Sequence, residues 1–277
     1  MVLPQTARLA NGGFDYNIAL GSVNLSAAAY CDPSVIKAWS CPPCVGTGLA
    51  LDVKDVFHAS ETDTNGYIGI DEAGKRIIVA FQGTHDLTQW IDDLDFFKAD
   101  LQYPGASSDV KVHSGFYKAY RQVKQNVDQV VNQTLFNNPE YTILVTGHSL
   151  GAALAAMCSL DLSIGHPQAR ILHYTYGQPR VGNQAFAQFY ESHNLAQHYR
   201  MTHNEDPVPH LPLESMGFYH ISTEVYYGEK FEGQSSLKVC DGSGEDPNCS
   251  NQHWTDLKVS DHLNYLGQTL DTDACHA

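Results

Sequence analysis

The segment Gly147-His148-Ser149-Leu150-Gly151 sets a serine between two glycines. It lies where a β-branched run (141–146) gives way to a small-residue run (150–163). Serine is a poor residue for the interior of a helix or strand, and glycine is worse. G-x-S-x-G at such a seam describes a nucleophile elbow, a turn so tight that flanking side chains would collide. The hydroxyl is then held clear of the sheet, over a helix N-terminus that favours developing negative charge. The chemistry open to such a serine is acyl transfer through a covalent intermediate. Alone, the short string is equally a serine that merely turns the chain; the strand–turn–helix context gives it weight.

A serine nucleophile needs a base, and the base needs an orienting carboxylate. In α/β-hydrolases they follow in the order serine, acid, histidine. Asp206, in MTHNEDPVPHLP, comes just past the run 198–203, and Pro207 and Pro209 stiffen its loop. Glu205 is the neighbouring rival. His262, in SDHLNYLG near the C-terminal end, is the best-placed base. His220, His253 and His276 are alternatives that read more readily as surface or structural histidines.

These residues need a scaffold. YIGIDEAGKRIIVAFQG reads as a hairpin, with strands 67–70 and 76–81 around a turn at 72–74. Residues 114–136 carry a helical stripe of Phe116, Tyr120, Val123, Val127 and Val130, closed by Pro139. Strands over 141–146, 171–176 and 198–203 alternate with helices over 150–163 and 184–192. That alternation predicts a largely parallel sheet with its site at the strands' carboxyl ends. Beyond Pro212 the pattern becomes short strands and turns. Leu87, Trp90, Ile91 and Leu94 fall on one helical stripe, with Thr88, Gln89, Asp92 and Asp95 on the other faces. Such a stripe ordinarily means a surface helix packed on the core.

The chain has 277 residues, 43% of them hydrophobic, enough for one α/β domain. A formal net charge of −15 without a basic cluster argues against nucleic acid as a partner and otherwise serves solubility. No stretch reaches the ~18 apolar residues of a membrane span. The start, MVLPQTARLA, lacks the apolar core of a secretory leader, so the chain is cytosolic or a mature form. Six of the seven cysteines lie in the loop-rich ends of the chain, while Cys158 reads as a buried free thiol. Asn24, Asn132 and Asn248 stand in glycosylation sequons, which together with the terminal cysteines favour a secreted, oxidised protein. Cys41 and Cys44, in CPPC, could alternatively do redox or zinc chemistry, but no second ligand pair of similar spacing accompanies them.

Nearly end to end, the chain resembles the fungal class 3 lipases, the Rhizomucor/Thermomyces type of α/β-hydrolase. The carrying segments are AAAYC, CPPC, VAFQGTHDLTQWIDDLDF, KVHSGFYKAY, VTGHSLGAAL, YGQPRVGNQAFA, YRMTHNEDPVPHLP, MGFYHISTEVYY and DHLNYLG, in that order. The resemblance implies an α/β-hydrolase fold over 1–277, with a mostly parallel sheet, helices on both faces and a helical lid at about 85–96. It implies a triad of Ser149, Asp206 and His262. It implies an oxyanion hole from the N–H groups of Thr84 and Leu150, with Asp93 bonding the Thr84 hydroxyl. It also implies disulfides Cys31–Cys275, Cys41–Cys44 and Cys240–Cys249. The departure is Gln82, where many members carry arginine. The expected activity is that of a secreted triacylglycerol lipase, a monomer working at an oil–water interface without metal or organic cofactor. Leu87, Trp90, Ile91 and Leu94 then form the apolar face of the lid. A feruloyl esterase shares the fold and triad, but its lid region tends to be more polar. A non-catalytic lipid-binding protein usually lacks a triad member, and all three are present here.

Overall fold

The computed structural model describes residues 13–93, 95–193, 195–255 and 257–276. Eight strands form one sheet whose spatial order follows the chain: Asp52–Ala59, Thr64–Asp71, Arg76–Phe81, Thr142–His148, Arg170–Tyr176, Gln197–His203, Glu224–Tyr227 and Lys238–Val239. The first three pair antiparallel, the next four join in parallel, and the last returns antiparallel. The hairpin expected around 72–74 is present, pairing Tyr67 with Ala80 and Ile70 with Ile77.

The central strands are apolar on both faces because both are covered. Ile77, Val79, Phe81, Ile143, Val145 and Ile171 point into a cluster with helices Ser114–Asn137 and Leu150–Gly165. Their neighbours Ile78, Ala80, Leu144, Leu172, Tyr174 and Tyr176 point into a second cluster with helix Tyr16–Ala28. In Ser114–Asn137 the expected stripe closes on Val131, which is buried, rather than Val130, which is half-buried. A 3.6-residue period carries position 131 back under Val127 and Val123.

All three disulfides are formed as the resemblance implied, and Cys158 is a buried free cysteine. Residues 87–93 form a helix, Leu87–Asp93; Leu94, the last member of the expected stripe, lies outside the described residues. Among the described residues no helix is long and apolar enough to cross a membrane.

Candidate active site

Strand Thr142–His148 runs straight into helix Leu150–Gly165, and Ser149 is the single residue between them. Its backbone sits at φ 59° and ψ −128°, a region that costs a side-chain-bearing residue about 1–3 kcal/mol. The flanking glycines make the turn possible. A Cβ on Gly147 would stand 2.4 Å from the Gly151 carbonyl oxygen, and one on Gly151 2.4 Å from that of Phe81. Leu150 opens the helix, so its N–H has no carbonyl a turn earlier to bond.

Asp206 follows strand Gln197–His203 and sits just before the turn Val208–His210. Its carboxylate accepts from the Val208 N–H at 2.8 Å and from the Tyr265 hydroxyl. His262 ends the short helix Val259–His262. Its Nδ1 lies 2.9 and 2.8 Å from the two Asp206 oxygens. A carboxylate can only accept, so Nδ1 carries the proton and Nε2 keeps a lone pair. His262 Nε2 and Ser149 Oγ are both buried without a hydrogen-bond partner among the described residues. Both residues line one cavity of about 40 Å³, with Thr84, Tyr30, His85, Leu87 and Leu270 around them. Ser149 is 1% exposed and His262 0%, so both lie at the bottom of a narrow cavity.

Gly177, at φ 57°, makes room for this pair. A Cβ there would lie 2.7 Å from His262 Cε1 and 2.9 Å from Asp206 Oδ2. Glu205, the rival acid, is turned away and pairs with Lys258. His220 is a buried structural histidine whose Nε2 donates to the Pro209 carbonyl at 2.7 Å. His253 meets the Tyr226 hydroxyl at 3.0 Å, and His276 follows the final turn Thr272–Cys275.

Four side chains that the sequence did not single out hold the site. The His148 ring lies 4.3 Å from that of His262, and its Nε2–H donates to the His262 carbonyl at 2.8 Å. Its Nδ1 accepts from the Tyr30 hydroxyl at 2.7 Å, and that hydroxyl takes the Gly83 N–H. Burial, helped by the nearby His262, pushes the His148 pKa well below the ordinary histidine range, so it stays neutral in this chain of bonds. Asp261 bonds the acid's loop to the base's loop, accepting from Asn204 Nδ2 at 2.7 Å and from the Glu205 N–H at 3.2 Å. Tyr265 is the fourth. Adjacency to Ser149 and the motif DHLNYLG were the signals available for His148, Asp261 and Tyr265; Tyr30 had none beyond AAAYC.

The oxyanion candidates differ in what surrounds them. Thr84 lines the cavity, but its hydroxyl is not bonded to Asp93. Asp93 instead accepts from Gln89 Nε2 at 3.3 Å on the exposed end of its own helix. With Leu87 turned into the cavity wall, the helix carries Asp93 outward. On the same helix, Trp90 stacks on Phe116 at 6.3 Å and 17°, and Ile91 is half-buried. Gln82 is buried, with its Nε2 3.0 Å from His85 Nε2.

Of the sequon asparagines, Asn24 is half-buried in helix Tyr16–Ala28 with its amide donating to the Leu20 carbonyl, while Asn132 and Asn248 are exposed. Among the described residues, one group could gather metal-ligating side chains: Glu224, Cys240 and Cys249. The two sulfurs are bonded to each other and offer no thiolate.

The sequence profile of the family described as Lipase (class 3) matches residues 78–216. The chain is 36% identical over 256 residues to a lipase of Rhizomucor miehei, covering 91% of this chain and 68% of that protein. It is 34% identical over 207 residues to secreted mono- and diacylglycerol lipase A of Penicillium cyclopium, covering 73% of this chain and 65% of that one. Among solved structures it is similar to a triacylglycerol lipase whose catalytic centre is described as a serine protease triad. That likeness has a TM-score of 0.81 at 33% identity and covers 94% of this chain and 96% of the other.

Proposed function

Since the chain belongs to the class 3 lipases, we propose that it is a secreted serine hydrolase of acylglycerol esters that works at a lipid–water interface. One observation supports this most strongly. The Nε2 of an Asp206-bonded His262 and the Oγ of an elbow serine belong to residues lining one narrow cavity, both without hydrogen-bond partners among the described residues.

In the proposed reaction His262 Nε2 takes the Ser149 proton as Oγ attacks the ester carbonyl. The N–H groups of Thr84 and Leu150 hold the resulting oxyanion. His262 then gives the proton to the departing alcohol, and water releases the acyl group by the same route. Asp206 keeps His262 in the tautomer that leaves Nε2 free. The residues need no metal or organic cofactor for these steps. The lid reading is supported by the burial of Ser149, 1% exposed, in a narrow cavity whose wall includes Leu87 of helix Leu87–Asp93. Secretion is supported by the three disulfides and by the description of the Penicillium relative as secreted.

The test compares wild type and Ser149→Ala on a dissolved short-chain ester, a tributyrin emulsion, long-chain olive oil and methyl ferulate. Wild type is expected to turn over the glycerides and to leave methyl ferulate nearly untouched. Ser149→Ala is expected to lose about four orders of magnitude or more on every substrate while melting normally. Residual activity within tenfold of wild type would rule out Ser149 as nucleophile, and preference for the ferulate would rule out the lipase reading.

A further inference from the structure

The turn that follows the catalytic acid is gripped at four successive carbonyls, from Pro209 to Pro212. His220 Nε2 donates to the Pro209 carbonyl at 2.7 Å. Arg180 holds the other three. Its Nη1 donates to the carbonyls of His210 and Pro212 at 2.6 and 3.1 Å, and its backbone N–H to that of Leu211 at 2.8 Å. Asp206 lies three residues before the first of these carbonyls. The stretch between has little slack. Pro207 and Pro209 have fixed φ, and the Val208 N–H is bonded to the Asp206 carboxylate itself. A shift of the gripped carbonyls therefore passes to the carboxylate instead of being absorbed on the way.

Both gripping residues meet at Glu245. Its Oε1 accepts from Arg180 Nε at 2.8 Å and from the His220 backbone N–H at 2.9 Å. Its Oε2 accepts from Arg180 Nη2 at 2.7 Å and from Asn251 Nδ2 at 2.9 Å. Burial by itself would raise the Glu245 pKa, but the Arg180 bonds carry it well below the ordinary carboxylate range, so the group is ionised. A two-pronged carboxylate–guanidinium pair fixes the plane of the guanidinium as well as its place. Arg180 is 0% exposed, and its other carboxylate partner, Glu214, stands farther off at 3.4 Å. Glu245 is itself seated by its loop, which the Cys240–Cys249 bridge closes and whose Gly244 carbonyl accepts from Arg200 Nη2 at 3.0 Å. None of Arg180, His220 and Glu245 lines the catalytic cavity. We infer that Glu245 is a positioning residue for the catalytic acid: it fixes Arg180 and His220, and through them the turn that aims Asp206 at His262. The inference rests on the triad reading above. Without the Glu245 charge, the buried guanidinium is drawn toward Glu214 and loosens its hold on the carbonyls of His210 and Pro212.

The test compares wild type, Glu245→Gln and Val131→Ala. Glu245→Gln keeps the side chain's shape and removes its charge. Val131 is a core residue of helix Ser114–Asn137 that does not line the catalytic cavity, so its truncation controls for lost stability. Two readings are taken: kcat and KM on a dissolved short-chain ester, and the far-downfield proton resonance of the His262 Nδ1–H, identified by its loss in His262→Asn. Glu245→Gln is expected to lower kcat about tenfold or more, to leave KM within about twofold, and to move or broaden the His262 resonance. Val131→Ala is expected to melt earlier, yet to keep kcat within about twofold and the resonance in place. If Glu245→Gln does not fold, Asn251→Ala takes its place; it removes one bond to Glu245 and is expected to move the same resonance with kcat about threefold lower. An unmoved resonance in the folded variant, or a kcat loss no greater than that of Val131→Ala, overturns the positioning role and leaves the esterase reading intact. A wild type inactive on every ester overturns the esterase reading, while the resonance still decides whether Glu245 aims the acid.

Discussion

The Asp206 carboxylate accepts from three groups: the His262 ring, the Val208 N–H and the Tyr265 hydroxyl. Hydrogen bonds to a charged acceptor are worth about 1.5–3 kcal/mol each. Tyr265→Phe removes one and leaves Oδ2 with His262 alone. Since Tyr265 is not among the residues lining the catalytic cavity, kcat on a dissolved ester is expected to fall about tenfold with KM nearly unchanged. A kcat within twofold of wild type would show that the other two bonds suffice. Ser149, Asp206 and His262 were legible in the sequence because each belongs to a local pattern: an elbow, an acid after a strand, a histidine near the end. Tyr30 was not, because its role depends on meeting His148 from 118 residues away. The Thr84–Asp93 bond was expected from resemblance, and it is absent because helix Leu87–Asp93 turns Asp93 outward.

At the scale of elements, helix Leu87–Asp93 is followed by a segment that is bonded to the rest of the molecule. Past it, the Asp95 carbonyl takes a bond from the His113 ring, and the Phe97 carbonyl takes the Ser114 N–H at 2.9 Å. The segment is thereby fastened to the start of helix Ser114–Asn137. Burying Leu87, Trp90 and Ile91 is worth about 1.5–3 kcal/mol apiece when complete, less for the two that are half-buried. Opening into water loses that; opening into lipid does not. Trp90→Ala is therefore expected to change turnover of a dissolved ester modestly and to lower turnover on an emulsion about tenfold further. Rates for both proteins, taken across the substrate's solubility limit, provide the check; equal losses on the two substrates would mean the helix is fixed packing. Helix Tyr16–Ala28 and strand Asp52–Ala59 are among the elements that escaped the sequence reading. Helix Tyr16–Ala28 buries mostly small residues on several sides, Ala19, Gly21, Ser22, Ser26 and Ala27 among them, and so shows no narrow stripe. Strand Asp52–Ala59 is irregular between Val53 and Asp55, which interrupts its alternation.

Across the whole molecule, burial holds several histidines neutral. It pushes His148, His173 and His220 well below the ordinary range and, with the Arg180 charge beside it, brings His210 to about 4. The unfolded chain binds these protons from about pH 6.5 downward, and the native state refuses them. Their contribution to stability is thus complete above about pH 6.5 and is lost as pH falls, for His210 down to about 4. Each histidine lowers stability by at most about 1.4 kcal/mol per pH unit in that window. The melting temperature is expected to drop steadily from pH 7 to pH 4.5; scanning calorimetry showing a flat profile would contradict neutral burial. The Cys31–Cys275 bridge acts at this scale too, spanning 244 residues, and the chain-entropy model gives such a loop about 5 kcal/mol. Its position matters beyond that sum. Cys31 adjoins Tyr30, and Cys275 follows Leu270, Asp271 and Thr272; all four of those neighbours line the catalytic cavity. The bond cannot close until residue 275 has been made, and it lasts only in oxidising surroundings. In reducing surroundings the two walls of that pocket are no longer joined by a bond.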